Sequence, residues 1–333
     1  MNTHSRDALA AVTSIDSLKG LPEAEGVDVL IHVGVHKTGT TWLQRELFGK
    51  SNEIIFEPSH EPSHKAFLIQ PAASFTLDIV REQYGGLLHQ ARSQGKPLVI
   101  SDEALGGRAF HQKYYREIAA HRLHAAFPNA TILVTVREQR ALLSSLYGEY
   151  LRYGYSSTLE QFLNRESPNP SLEPTLDFSY YEYDRTQTFY ESLFGANKVI
   201  VAPMLWTLAD PWGLVDRVNR TFSSKLTLPA ATTTERTVRP AMSEWARRVL
   251  RRMNGLVPQD SRHLMKPSKF SPNSIAYQVD RLTPTWAREK GKRNQKNIVD
   301  ALVGDYYALS NARFAKMSGI DLKSLGYVVA DTV

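Results

Sequence analysis

Cysteine is missing from all 333 residues. Its absence excludes a thiolate nucleophile, a cysteine-ligated zinc or iron–sulfur centre and a disulfide-stapled scaffold. Long apolar runs are missing as well, with no stretch of about 18 consecutive apolar residues, so no membrane span is expected. Met1–Gly20 carries Asp7 and Asp16 and lacks an extended apolar centre, which does not read as a secretory leader. A cytoplasmic location is the expectation. With 42% hydrophobic and 22% charged residues, the chain has neither the apolar poverty of a disordered protein nor the glycine period of a collagen. Its length fits one large domain or two small ones.

Charge is unevenly placed. The chain carries a formal +6, yet residues 236–296 hold fifteen Lys/Arg against four Asp/Glu, leaving the rest slightly acidic. Such asymmetry suits a segment that faces an anion. Arg236, Arg239, Lys290 and Lys292 are candidates to close over, or guide, an anionic ligand, whereas Arg247, Arg248, Arg251 and Arg252 equally fit a solvated helical face. Aromatic residues are not interleaved there in a stacking pattern, so nucleic acid is not an expected partner. Oligomeric state is not legible.

Short β-branched runs alternate with helical patterns. Val27–Val35, Pro97–Ser101, Thr131–Val136 and Lys198–Ala202 read as buried parallel strands. Thr40–Leu47, Leu77–Gln94, Tyr114–Ala126, Glu138–Leu151 and Tyr180–Leu193 read as helices between them. Asn164–Pro174, Thr227–Thr234 and Pro267–Pro272 read as loops, and the chain beyond Phe222 is mainly helical. The expected fold is a three-layer α/β/α domain over residues 27–333, with a central parallel sheet, a helical C-terminal section and a flexible 1–26 lead-in.

His32–Leu43, HVGVHKTGTTWL, joins the first strand to the first helix. Gly34 and Gly39 have the spacing of the phosphate loop GxxxxGK[ST], but Thr40 replaces its lysine and the cation sits inside the loop as Lys37. The physics of an anion cradle survives the change. Backbone N–H groups and the helix dipole favour negative charge, Gly39 permits close approach, and Thr40 and Thr41 add hydroxyls.

HKTGTTW resembles the loop of the sulfotransferase superfamily that binds the 5′-phosphosulfate of 3′-phosphoadenylyl sulfate, with His36 where the family usually has proline. The resemblance continues at Arg137, which ends the strand TILVTV, and at Ser145 eight residues later. In that family such a pair holds the donor's 3′-phosphate, with Ser144 here as an alternative hydroxyl, and a guanidinium fork suits a phosphate dianion. The stretches Tyr180–Phe222 and Ser310–Tyr327 also look like bacterial members, so the likeness spans most of residues 28–327. It implies a metal-independent sulfotransferase in which Lys37, Thr38, Gly39, Thr40, Thr41, Trp42, Arg137 and Ser145 hold the donor. Trp42 would lie against the adenine, and adenosine 3′,5′-bisphosphate would be released. The acceptor is expected to be a hydroxyl compound; carbohydrate, lipid, small phenol and peptide tyrosine are all open, and the resemblance favours a carbohydrate or small metabolite.

The general base of that family often follows the second strand, which points to Ser101–Asp102–Glu103. In an alternating strand Ser101 and Glu103 share a face, favouring Glu103, with Asp102 in reserve and His36 and His111 as weaker candidates. The same LVISDE stretch supports a rival reading: a magnesium-dependent P-loop kinase or hydrolase with Asp102 on the metal and Glu103 activating water.

Overall fold

The structure, a computed structural model, describes residues 15, 18, 20–166, 176–222, 226–227, 242–256 and 270–332. In chain order the main elements begin with β1 (Val29–Gly34), α1 (Thr40–Trp42, continued in wider π-type turns over Leu43–Phe48), β2 (Ile55–Phe56) and α2 (Glu61–Ser63, continued likewise over His64–Leu68). There follow α3 (Leu77–Gln94), β3 (Leu98–Ser101), α4 (Arg116–Ala126), β4 (Thr131–Val136), α5 (Gln139–Arg152), α6 (Leu159–Phe162) and α7 (Tyr183–Phe194). The chain continues through β5 (Val199–Pro203), α8 (Met204–Ala209), α9 (Pro211–Phe222), α10 (Glu244–Leu256), α11 (Pro272–Leu282), α12 (Thr285–Val303) and α13 (Ala308–Ser318).

The strands form one parallel sheet in the order β2-β3-β1-β4-β5. Each of the four expected strands is present, with ends within two residues of the sequence reading. Both faces are covered, and the two-residue period of a strand divides the core accordingly. Val29, Ile31 and Val33 join Leu98, Ile100, Ile132, Val134 and Val201 in one cluster, which α3, α4, α5, α7, α12 and α13 complete. Leu30, Val99, Leu133, Ile200 and Ala202 point the other way, onto Leu43, Leu47 and Phe48 of α1 and Leu214, Val215 and Val218 of α9. The result is the expected three-layer α/β/α arrangement.

Strand order changes direction beside β1: β2 and β3 lie on one side of it, β4 and β5 on the other. Open parallel sheets bind ligands at such a switch, outside the carboxyl ends of the strands. Here that crevice is walled by the segments after β1, β3 and β4.

Of the 1–26 stretch, Leu21 is buried, and Gly20 and Leu21 donate to the Ala125 and Ala126 carbonyls at the end of α4. The loops read at Thr227–Thr234, Pro267–Pro272 and Asn164–Pro174 fall mostly outside the described residues, as do Arg236 and Arg239. Part of the basic excess is spent locally: Arg248 pairs with Glu244, Lys292 with Glu289 and Lys296 with Asp300. Among the described residues no helix is long and apolar enough to cross a membrane.

Candidate active site

β1 carries a histidine where a core strand usually has an aliphatic residue. His32 is fully buried; its Nδ1 lies 2.7 Å from Ser101 Oγ on β3 and its Nε2 3.1 Å from Thr135 Oγ1 on β4. Burial holds its pKa down at about 3, so the ring is neutral and ties three strands together at the crevice floor. Thr135 Oγ1 also meets Thr38 Oγ1 at 2.8 Å, and the Thr38 hydroxyl donates to the Val35 carbonyl at 2.5 Å. The Thr38 side chain therefore fixes the loop from within. Its hydroxyl is thereby engaged within the loop, and the hydroxyls that the sequence reading offers to a ligand are those of Thr40 and Thr41.

The loop's backbone explains its glycines. Gly39, at the N-cap of α1, has φ +90°, and Lys37 also lies in the left-handed region at φ +71°. A non-glycine residue there costs about 1–2 kcal/mol, strain of a kind that gathers at binding sites. Gly34 leaves room for the helix: a Cβ on it would fall 2.3 Å from Thr40 Cγ2 and 2.9 Å from Thr135 Oγ1. Thr40 is buried against Gly34, while Thr41 is exposed. Trp42 is half-buried and packs on the α1/α9 side of the core.

Arg137, just beyond β4, reaches back so that Nη1 donates to the Lys37 carbonyl at 3.3 Å. The Tyr183 hydroxyl on α7 donates to the Arg137 carbonyl at 2.6 Å, which sets the backbone at this point. Ser145 lies two turns along α5, half-buried, and the neighbouring Ser144 carbonyl accepts from Gln295 of α12 at 3.1 Å. One further turn along the same α5 face, Glu149 Oε1 lies 2.7 Å from Lys37 Nζ and 2.5 Å from Arg152 Nη1. Partial burial alone would push the Glu149 carboxyl up, but Lys37, with Arg152 behind it, brings it below the usual range. Sequence reading missed Glu149, although its spacing of four from Ser145 would have placed both on one helical face.

β3 ends at Ser101, so the alternation argument for Glu103 does not hold. Asp102 is instead the N-cap of a 3₁₀ turn over Glu103–Gly106; its side chain accepts from Ala104 N at 2.8 Å and from the Ser63 hydroxyl. Burial opposes ionisation of Asp102, and these hydrogen bonds with His60 overcome it and lower its pKa. The turn, not the pleat, aims Glu103 toward the loop, where Oε1 lies 4.0 Å from His36 Nδ1. Burial, then the Arg108 charge, lowers His36 to about 4, and the same two causes lower His111 to about 4. Asp102 raises His60 above its ordinary value. His60, Asp102 and Glu103 bring one ligand atom each within 4.8 Å of the others, a set able to hold a divalent cation. His60 and His64, one helical turn apart at the start of α2, were not singled out from sequence.

No protein-family model matches the sequence, and no curated protein matches it. Among solved structures, that of the sulfotransferase from Alicyclobacillus acidocaldarius aligns over 89% of this chain and 98% of its own, with a TM-score of 0.51 and 15% identity. The chain has a sulfotransferase-type fold. The sulfotransferase STF1 from Mycobacterium tuberculosis aligns over 90% of this chain and 81% of its own, with a TM-score of 0.34 and 12% identity. In the sulfotransferase-type fold of this chain, the loop after β1, the Arg137 strand end and the Glu103 turn all border the crevice at the switch of the sheet.

Proposed function

We propose that this protein is a sulfotransferase that uses 3′-phosphoadenylyl sulfate and delivers its sulfuryl group to a hydroxyl of a carbohydrate or small metabolite. One observation carries the reading. Arg137 touches the backbone of the phosphate-type loop through the Lys37 carbonyl, so two anion-binding elements border a single crevice. A nucleotide with charge at both its 5′ and 3′ positions suits that pairing, whereas a nucleoside triphosphate would leave Arg137 without its 3′ partner.

The residues divide the work as follows. Backbone N–H groups of Lys37, Thr38, Gly39, Thr40 and Thr41, with the Thr41 hydroxyl, hold the 5′-phosphosulfate at the start of α1. Arg137 and Ser145 take the 3′-phosphate, and Trp42 borders the base. Glu103 removes the proton of the acceptor hydroxyl as its oxygen bonds to sulfur. The bond from sulfur to the bridging oxygen breaks, its electron pair stays on the 5′-phosphate, and Lys37 balances that charge. Lysine, amides and dipole supply the positive charge, so the reaction is expected to run without a metal.

The rival magnesium-dependent kinase or hydrolase draws on the cation-compatible grouping of His60, Asp102 and Glu103. Thr40 in the place of the P-loop lysine speaks against it, since that lysine is a principal charge on the β/γ-phosphates. Incubation with ³⁵S-labelled donor and an extract of small metabolites, in EDTA, tests the proposal. Label transferred to an acceptor and abolished by Lys37→Ala is the expected result. Transfer that survives Lys37→Ala, or donor cleavage only with magnesium, would contradict it. Full turnover by Glu103→Gln would move the base to His36, His111 or Asp102.

A further inference from the structure

Among the described residues, a small set of buried side-chain nitrogen or oxygen atoms has neither a hydrogen-bond nor an ion-pair partner. Four of them belong to one neighbourhood: His36 Nε2, Glu103 Oε2, Arg108 Nε and His111 Nε2; His60 beside them is paired through Nδ1 with Asp102 Oδ1 at 3.3 Å. Their connection is direct. His36 is 4.0 Å from Glu103, Glu103 lies within 4.8 Å of His60, and the Arg108 charge acts on His36, His60 and His111. Leaving a buried polar atom unpaired costs about 1–3 kcal/mol, so four in one place is a costly arrangement for packing alone.

Aromatic rings line the same neighbourhood. Phe110 meets His36 at 5.3 Å and His111 at 4.4 Å between ring centroids, and His111 meets Tyr153 at 4.3 Å. Tyr153 is 51% exposed and offers apolar surface beside the polar atoms. His111 Nδ1 is already engaged with the Tyr155 hydroxyl at 3.0 Å, which fixes the ring and leaves Nε2 for another partner.

We infer that this cluster is the acceptor subsite and that it selects a polyhydroxylated, sugar-like acceptor. The inference rests on the sulfotransferase reading for the word acceptor, but not for the class of compound bound. The unpaired set mixes a pure donor, Arg108 Nε, a pure acceptor, Glu103 Oε2, and two imidazole nitrogens, His36 Nε2 and His111 Nε2, that take either role according to tautomer. Hydroxyl groups are donor and acceptor at once, so several on one ring satisfy such a mixture, and the ring's C–H face covers Tyr153. A phenol or a long-chain alcohol brings one polar atom and strands the other three. Sites built for hydrogen bonding reject analogues that lack the groups by large factors, up to about 10⁴–10⁵.

Saturation-transfer NMR on the full chain, with cellobiose, chitobiose and methyl glucoside against phenol and 1-octanol, tests the ligand class without any transfer reaction. We expect saturation of at least one sugar probe, reduced more than fivefold by Tyr153→Ala and by His111→Phe. The dissociation constant for adenosine 3′,5′-bisphosphate should stay within twofold in both variants. Saturation of phenol or octanol in place of the sugars, no saturation of any sugar, or sugar signals indifferent to both variants would overturn the inference. Sugar binding with no nucleotide binding would instead overturn the sulfotransferase reading and leave the sugar-like ligand in place. Tyr153 is half-exposed, so its variant remains informative even where His111→Phe fails to fold.

Discussion

Lys37 Nζ is held 2.7 Å from Glu149 Oε1, so the cation inside the phosphate-type loop is tied to a carboxylate on α5. That carboxylate also pairs with Arg152 at 2.5 Å. On the proposed function, an anion entering the loop would compete with Glu149 for Lys37, and that competition would set its affinity. Replacing Glu149 by Gln keeps the shape and removes the charge. A half-buried pair of this kind is worth about 1 kcal/mol, so Glu149→Gln should tighten adenosine 3′,5′-bisphosphate about fivefold by calorimetry. Weaker binding would mean that Glu149 positions Lys37 for the ligand rather than competing with it.

Gly34 and Thr40 make a second contact that can be tested. A Cβ at residue 34 falls 2.3 Å from Thr40 Cγ2, well inside contact distance. Gly34→Ala should lower stability by about 1–3 kcal/mol in urea denaturation, as overpacking does. Adding Thr40→Ser deletes the offending methyl and should recover much of the loss. A double variant no better than Gly34→Ala alone would place the strain at Thr135, whose Oγ1 lies 2.9 Å from the same point.

Arg137 gives a specificity prediction. A charge-assisted contact is worth about 1.5–3 kcal/mol, or roughly 10–100-fold in affinity. Arg137→Ala should cost that much for adenosine 3′,5′-bisphosphate and little for adenosine 5′-phosphate, which lacks the 3′ group. Equal losses for the two nucleotides would remove Arg137 from the 3′ position.

Acid should destabilise the fold through His32. Burial lowers its folded pKa to about 3, against an ordinary 6.5 in the unfolded chain. Below pH 6.5 the unfolded chain therefore binds a proton that the folded chain refuses. The stabilisation present above pH 6.5 is lost as pH falls toward 3, at most about 1.4 kcal/mol per pH unit. Urea denaturation at pH 7, 6 and 5 should show a decline whose slope is shallower in His32→Asn, even though that variant is less stable throughout. An unchanged slope would put the proton uptake elsewhere.

Much of the sheet was legible because buried parallel strands write their environment directly as runs such as TILVTV and PLVIS. The two-residue β2 was not, since Ile55–Phe56 is too short to carry a period. The loop after β1 was readable from glycine spacing, but the inward turn of Thr38 depends on Thr135, 97 residues away. Strand alternation favours Glu103, although β3 ends at Ser101 and Asp102 caps a turn; the residue faces the loop for a different reason from the one that selects it. His60, His64, Arg108 and Tyr153 come from separate segments that only the tertiary fold brings to Glu103 and His111, and no local pattern marks them.

The central claim is that the loop around Lys37, together with Arg137, binds a nucleotide charged at both ends without help from a metal. Calorimetry of the full chain with adenosine 3′,5′-bisphosphate in EDTA addresses it most directly. We expect one site with a micromolar dissociation constant, unchanged by added magnesium and lost in Lys37→Ala. No binding in EDTA, with ATP binding appearing only when magnesium is added, would contradict the account.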